Sequence, residues 1–577
     1  MNDQPVGKTK RGFHFFDYYS GDKIPPLTKW IYSIASLFRD ASYALVSAFM
    51  LNYMMYSGVL SANKSEYGAQ IAVINIILII CLIWDGLNDP IMGFIVERVH
   101  FKLGKYRPWI LIGGIGNTIV ILCLFLIRPS GWAYVICWAI FYFLWDLVFT
   151  INDIAYWAML PSLTSNEKAR ANITTLMSIF ISIGTFGMYA ACSLLPSTFG
   201  YQIFYSAIAI LSATLFFLSQ LAIFFLCKEH VRDPKQETIS EKSKFKDMFT
   251  LVKKNKPLRY SVLAILLYYT GSTILVGFGI NYFYMAYGFG GSFTDSAGKF
   301  TTAMGGGGIQ TIVTVMYVLG TLIAQFLFPL LKKKFKMQKI MTWSMIITVI
   351  GYVMFFLVGF PLFGEHPLAW NDAIDSSRGF VTLGDCLGGR MVLLYIPAVI
   401  FFAAEGVINL LILLMMQNSI EYNEYTFGER KESVAFSWRP LTAKFASAIQ
   451  KGLVYLTLLI SFIYPITAEI SGYQNDLAAV ENANNNNLND PDVIAALTKT
   501  TENINGALSG LAPWQVVVIG IGMVGSALIC MIGCWALVHF GYKLDETEYN
   551  RICDELKKRH EVDFKEAAAK EASVKAS

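Results

Sequence analysis

Residues 84–109 read WDGLNDPIMGFIVERVHFKLGKYRPW. The segment begins inside an apolar run and ends in a basic loop. Asp85 and Asp89 are four residues apart, so on a helix they share one face. An ionised carboxylate in hydrocarbon needs a partner: a basic side chain, a proton or a metal cation. Two carboxylates stacked one turn apart, with no base between them, make an oxygen-ligand site for a small cation. The loop that follows, His100 to Pro108, carries Lys102, Lys105 and Arg107 and reads as a cytoplasmic turn between two membrane helices. This stretch therefore predicts an ion site, a depth in the bilayer and an orientation.

Composition points the same way. Of the 577 residues, 55% are hydrophobic and 15% charged, against about 25% charged in soluble domains. The apolar residues come in long runs such as Ile71–Trp84 and Leu453–Pro465. This excludes a soluble globular protein and predicts an all-α integral membrane protein. At roughly 20 residues plus a loop per crossing, the length fits about twelve helices. They are predicted at 29–57, 68–98, 108–127, 131–160, 171–195, 201–227, 259–288, 308–331, 338–362, 390–419, 434–468 and 513–541. The N-terminal stretch is polar and charged, so the first helix is expected to be an uncleaved span. The net charge of +5 sits in loops and argues orientation, not nucleic-acid binding. The nine cysteines are scattered without metal-type spacing or a disulfide framework and read as packing residues.

Loop charge sets the topology. One alternating set of loops carries Lys102, Lys105 and Arg107; Lys168 and Arg170; Lys332, Lys333, Lys334 and Lys336; and Arg430 and Lys431. The other set, Ser57–Tyr67, Phe289–Gly308 and Ser471–Pro513, has only Lys64, Lys299 and Lys499. Both termini are therefore expected in the cytoplasm. The plan is a cytoplasmic tail (1–28), a six-helix bundle (29–227), a cytoplasmic middle loop (228–258), a second six-helix bundle (259–541) and a charged tail (542–577). Two outer insertions, 364–390 and 471–513, are expected to be flexible surface segments, with a lid over the outer mouth as the alternative. Pro161–Arg170 and Glu421–Ser433 are a weak echo of one turn at the same place in each half.

The informative residues are ionisable ones inside apolar runs. Arg39 and Asp40 interrupt the first helix. As sequence neighbours they should face different surroundings. Asp146, Thr150, Asp153 and Trp157 follow at steps of four, three and four, one stripe on the fourth helix. Glu405 stands alone in the tenth, and Lys444 and Lys451 share a face of the eleventh. Acids outnumber bases, Asp40, Asp85, Asp89, Asp146 and Asp153 against Arg39, Lys444 and Lys451. The surplus calls for cations or protons, as in a cation-coupled carrier. A carboxylate accepts sugar hydroxyls and an indole face packs on a sugar ring, so Asp153 with Trp157 suits a sugar site.

These residues give the chain a resemblance to the glycoside–pentoside–hexuronide:cation symporters of the major facilitator superfamily. WDGLNDPIMGFIVE…GKYRPWILIG and DIAYWAMLPSLT carry it, with EYNEYTFGERKES before the eleventh helix, over about residues 28–470 and 513–545. The resemblance implies two six-helix bundles that rock in alternating access. It implies Asp85 and Asp89 as cation carboxylates (Na⁺ if sodium-coupled) with Thr150 as a neutral donor. It further implies Asp40 and Asp153 as sugar carboxylates, Trp157 as the stacking ring, and Lys444 between the two sites. Arg39 and Phe149 fall among the expected substrate contacts, with Asp146 and Lys451. Departures are Leu82 and Ser178, where the family's melibiose carrier has arginines, and Phe149, where it has a tyrosine. Asp146 and Lys451 stand where glycines are expected. Each lies about 10 Å outward of Asp153 or Lys444 at 1.5 Å per residue, so they are expected to compensate each other, as an ion pair or through the substrate. A rival is that Lys451 binds an acidic sugar.

The expected function is symport of a sugar or glycoside with Na⁺ or H⁺ across the cytoplasmic membrane of a bacterium, by a monomer needing no cofactor. Alternatives are a lipid or lysolipid carrier of the same fold, a non-transporting sugar sensor, and an intramembrane enzyme using Asp85–Asp89 as an Asp-rich motif.

Overall fold

The computed structural model describes residues 24–99, 101, 103–163, 167–229, 245–294, 298–364, 366–369, 386–428, 435, 438–556 and 558–559. The tail to residue 23, most of the middle loop, most of insertion 364–390, Lys102, Arg430, Lys431, the end of Glu421–Ser433 and the tail segment Glu566–Glu571 lie outside them.

Twelve helices among the described residues are long and apolar enough to cross a membrane. We label the first eleven α1 (Pro26–Tyr56), α2 (Lys64–Arg98), α3 (Arg107–Leu126), α4 (Trp132–Leu163), α5 (Glu167–Leu194), α6 (Tyr201–Leu226), α7 (Lys256–Tyr287), α8 (Gly305–Lys334), α9 (Met337–Gly359), α10 (Val392–Phe427) and α11 (Trp438–Ile460). Two further helices, α12 (Tyr464–Ala483) and α13 (Pro491–Ser509), precede the last span, α14 (Pro513–Gly541). Most ends fall within a few residues of the expectation. α11 stops early because Pro465 has no N–H and its ring clashes with the carbonyl four residues back. The chain turns there with Phe462 at φ +54° and restarts as α12.

α1 packs on α5 and α6, α3 on α4 and α6, and α2 on α4. Likewise α10 packs on α8 and α9, and α7 on α8, α10, α11 and α14. The two sets meet along α2–α11 and α5–α8. α2 shows how the sequence chooses its faces. Ile76, Ile80, Ile83, Leu87 and Ile91 form an exposed apolar stripe, as a lipid-facing surface must. Ile71, Ile74, Leu78, Cys81, Asp85 and Asn88 are buried, so the first acid points into the protein.

The opening stretch is fastened from outside itself. Glu229, buried, accepts the backbone N–H groups of Lys105, Tyr106 and Arg107 at 2.8, 2.9 and 2.8 Å. A carboxylate thus satisfies the free donors at the start of α3 and opposes its dipole.

The end away from the termini, placed outside by the loop charges, is shut. Tyr56 donates to Asn281 at 2.6 Å, and the Tyr201 hydroxyl donates to that of Tyr284 at 3.0 Å. Both bonds join the first set of helices to the second, and all four residues are buried. Phe289 packs on Tyr56, Tyr201 and Tyr284. A two-stranded hairpin, β1 (Gly291–Thr294) with β2 (Phe300–Ala303), lies above. Its Ser292 donates to the Thr198 carbonyl at 2.8 Å. Gly307 of α8 lies so close to α5 that a Cβ would sit 2.0 Å from the Ser193 carbonyl oxygen.

Insertion 471–513, expected as a flexible surface segment, is a helical hairpin. Its turn uses Asn485 and Asn486 at φ +54° and +57°, a conformation asparagine tolerates. Asp490 caps α13 through the Asp492 N–H at 2.9 Å. Val493, Leu497, Thr500, Ile504 and Leu508 make a buried stripe at helical spacing. The hairpin spans both sets. α13 rests on β1, its Thr501 donating to the Ser292 carbonyl at 2.9 Å. α12 rests on α1, α2 and α6, with Gln474 accepting from the Tyr201 N–H at 3.5 Å and Glu469 paired to Lys64 at 3.3 Å.

Glu481 of α12 sits directly over Gly200, 2% exposed, and its Oε1 has no hydrogen bond. Burial pushes its carboxyl up to about 8, with Arg128 pulling the other way. A raised carboxyl favours the seated hairpin while protonated, and that contribution fades as pH rises from the ordinary range through about 8. Hydrogen exchange of 470–483 is expected to quicken beyond its intrinsic rate between pH 6 and 9. Glu481→Gln should flatten that response; a parent with no excess quickening would refute it.

Candidate functional site

Two charged clusters stand out, one between α1 and α4 of the first set and one where α2 of the first set meets α11 of the second. In the first, Arg39 of α1 is 2% exposed. Its guanidinium contacts Asp40 at 2.8 and 3.0 Å and Asp153 of α4 at 3.1 Å. It lies 4.4 Å from the Tyr156 ring centroid and 5.4 Å from that of Trp157. The expectation that Arg39 and Asp40 face different surroundings is corrected. The long arginine side chain curls back, drawn between two carboxylates. Tyr156 is fixed by Tyr32: the rings stack at 4.5 Å and each hydroxyl donates to the other residue's carbonyl. The Asp153 side chain and Trp157 are each 39% exposed, so the cluster has an open side.

In the second cluster, Lys444 of α11 reaches across to α2. Its ammonium is 2.7 Å from Asp85 and 2.5 Å from Asp89, and it donates to the Asp85 carbonyl at 3.3 Å. Thr150 of α4 donates to Asp85 at 3.4 Å. Gly86 gives the crossing its room, since a Cβ there would stand 3.1 Å from Leu441. The Asp89 side chain keeps 31% of its surface and Lys444 20%, so the cluster is not sealed.

α4 links the clusters, with Thr150 at one and Asp153 at the other. Tyr43 of α1, one turn from Arg39, feels the charges of Asp85, Asp89, Asp146 and Asp153. Phe149 stacks in an aromatic group with Tyr43 and Trp145, at 4.7 and 5.7 Å, not on Arg39. Sequence reasoning missed Tyr43 and Tyr156, although each lies three residues from a singled-out acid, Asp40 or Asp153.

Asp146 and Lys451 form no ion pair among the described residues. α4 packs on α2, and this brings the Asp146 carboxyl within hydrogen-bond reach of Asp85 instead. Lys451 is half-buried. Glu405 accepts from the Tyr352 hydroxyl at 2.8 Å, away from both clusters. Among the described residues, no three His, Cys, Asp or Glu side chains converge as a metal-ion group. An ion at Asp85 would draw on the two acids together with Thr150.

The family profile described as MFS/sugar transport protein matches residues 31–476. The raffinose carrier protein of Pediococcus pentosaceus is 25% identical over 452 residues, covering 75% of this chain and 62% of that protein. A lactose permease of Lactobacillus helveticus is 25% identical over 453 residues, covering 73% and 61%. The chain thus spans about three fifths of the length of these relatives. The isoprimeverose transporter of Lactiplantibacillus pentosus is 20% identical over 446 residues, covering 75% and 80%. Among solved structures, a bacterial homolog of the human lysosomal transporter Spinster superposes with TM-score 0.51 at 11% identity, covering 89% of this chain and 96% of that one. The peptide transporter POT does so with TM-score 0.51 at 11% identity, covering 82% and 96%. These two likenesses show the fold, and the family profile makes it that of the major facilitator superfamily.

Proposed function

Because this chain belongs to the MFS/sugar transport protein family, we propose that it moves a sugar or glycoside together with a cation, Na⁺ or H⁺, by alternating access. It is a multi-pass membrane protein of a transporter family, not an enzyme. Its bacterial relatives support a place in the cytoplasmic membrane of a bacterium.

One observation carries the reading: two basic side chains are each held by two carboxylates, Arg39 by Asp40 of its own helix and Asp153 of α4, and Lys444 by Asp85 and Asp89 of the facing α2, with α4 touching both clusters through Asp153 and Thr150. In the first cluster Asp40 and Asp153 keep acceptor capacity beyond Arg39, and Trp157 offers an apolar ring beside them. That is chemistry for hydroxyls and a sugar face, and it speaks for sugar over a lipid cargo. The raffinose, lactose and isoprimeverose carriers among the relatives support a glycoside.

In the second cluster a cation and the Lys444 ammonium compete for the same oxygens. An ion that enters draws Asp85 away from Lys444, which keeps Asp89, and so loosens the α2–α11 seam; loss of the ion lets Lys444 return to Asp85. Movement at Asp85 reaches Asp153 along α4, so ion and sugar affinity are linked, reciprocally, by about 1–3 kcal/mol.

Purified protein in vesicles should accumulate lactose or raffinose when a Na⁺ or H⁺ gradient points inward. Asp89→Cys should exchange sugar but no longer concentrate it. Accumulation by that variant that still follows the gradient, or no uptake of any glycoside by the parent, would count against the proposal.

A further inference from the structure

We propose that the coupling ion sits between Asp85 and Asp146, with Thr150 as its neutral donor, while Lys444 remains the partner of Asp89. The inference rests on the symport reading and adds a residue to its ion site.

The argument begins with an imbalance. Asp85 and Asp89 share one ammonium, that of Lys444, and Asp146 adds a third carboxyl group beside Asp85. The gap between Asp85 and Asp89 already holds a positive charge at 2.7 and 2.5 Å. A small cation there would have to expel Lys444 from both acids at once. The other side of Asp85 is different. Asp146 is only 6% exposed, and its Oδ2 is buried with no hydrogen-bond partner. Its carboxyl lies within hydrogen-bond reach of Asp85. Carboxylate oxygens accept and do not donate, so this approach requires a positive ion between the groups, a proton or a metal cation.

Among the described residues Asp146 forms no ion pair: Lys444, a base whose charge reaches it, is committed to Asp85 and Asp89. The other titratable neighbours on packed elements, Tyr43 of α1, Cys81 of α2 and Tyr142 of α4, carry no positive charge. Thr150 follows Asp146 by one helical turn, on the same face, and already donates to Asp85 at 3.4 Å. Turned the other way, its hydroxyl oxygen becomes a ligand. Asp146 and Thr150 thus share the α4 face that meets Asp85 of α2.

The test reads the ion without needing the sugar. Thermal unfolding of the purified full-length protein is followed with NaCl, LiCl or choline chloride at pH 8, and in choline from pH 5 to 8. The parent is expected to be stabilised by Na⁺ or Li⁺ over choline, or, if the ion is a proton, by acid. Asp146→Asn, nearly isosteric, should cut the apparent affinity for the stabilising ion at least tenfold; Asp146→Glu should restore part of it. In the proton case Asp146→Asn should remove one proton from the pH dependence. An Asp146→Asn protein that responds to every ion like the parent overturns this placement alone. A parent indifferent to Na⁺, Li⁺ and acid overturns it together with cation coupling. An Asp146→Asn protein that fails to fold while Asp146→Ser folds and keeps the parent's ion response also overturns it.

Discussion

Lys444→Ala is expected to abolish sugar accumulation while leaving exchange of sugar across the membrane measurable. Among the described residues the ammonium is the base paired with Asp85 and Asp89, and it ties α2 to α11. Removing one member of such a buried pair typically costs about 3–5 kcal/mol, because the remaining charges lose their partner. Without Lys444 the acids must keep a cation or proton in every conformation. The ion then no longer leaves when the site faces the cytoplasm, and the gradient stops doing work. Uphill transport in vesicles should fall at least a hundredfold, roughly what 3 kcal/mol allows, whereas counterflow of preloaded sugar should fall much less. Lys444→Arg should not rescue it, since a planar fork cannot replace a compact point charge between two acids. Accumulation within twofold of the parent would show that the ammonium is not part of coupling.

Gly307→Val should trap the protein open to the outside. A Cβ at 307 would stand 2.0 Å from the Ser193 carbonyl oxygen, well inside van der Waals contact. The obstacle is backbone, so no rotamer change relieves it. α8 and α5 can accommodate the side chain only by parting, and with them the Tyr56–Asn281 and Tyr201–Tyr284 bonds. Transport should drop at least tenfold, with Gly307→Ala showing a milder form. Cys192, fully buried beside Ser193, reports the change without any added cysteine. A membrane-impermeant maleimide should label it in Gly307→Val and spare it in the parent. Unchanged transport and labelling would mean that this close approach is not needed for closure.

How much of this was written in the chain depends on the range of the interaction. The twelve spans follow from long apolar runs, and the bilayer makes that signal strong. The stripe Asp146–Thr150–Asp153–Trp157 was legible because helical spacing is local. Its partners were not. Resemblance placed Lys444 between the sites, but nothing in the spacing shows that it bridges Asp85 and Asp89. The outward offset of Asp146 and Lys451 suggested that they meet, yet α4 leans on α2 and delivers Asp146 to Asp85. The Arg39–Asp40 contact was misjudged because the rule for neighbours concerns Cβ directions, and an arginine reaches much farther. The α12–α13 hairpin was missed for another reason. Asn484–Asn487 spells a turn, while the stripe Val493–Leu497–Ile504–Leu508 is spaced among polar residues and gains its meaning from the β1 surface it covers. Glu229 gave no local hint at all: its three backbone donors lie 122 to 124 residues earlier.

The α12–α13 hairpin grows from the second set of helices yet leans on the first, so under the proposed alternating access it must leave its seat each time the outer mouth opens. Its contacts with Tyr201, Gly200 and Lys64 therefore set how rarely the mouth is open at rest. If the chain carries sugar as proposed, sugar outside binds only that open form, and its apparent dissociation constant rises by the inverse of the open fraction. If one molecule in about a hundred is open, external sugar looks roughly a hundredfold weaker than the pocket itself allows. Trimming the hairpin would then tighten capture of scarce sugar without altering a single residue that touches it.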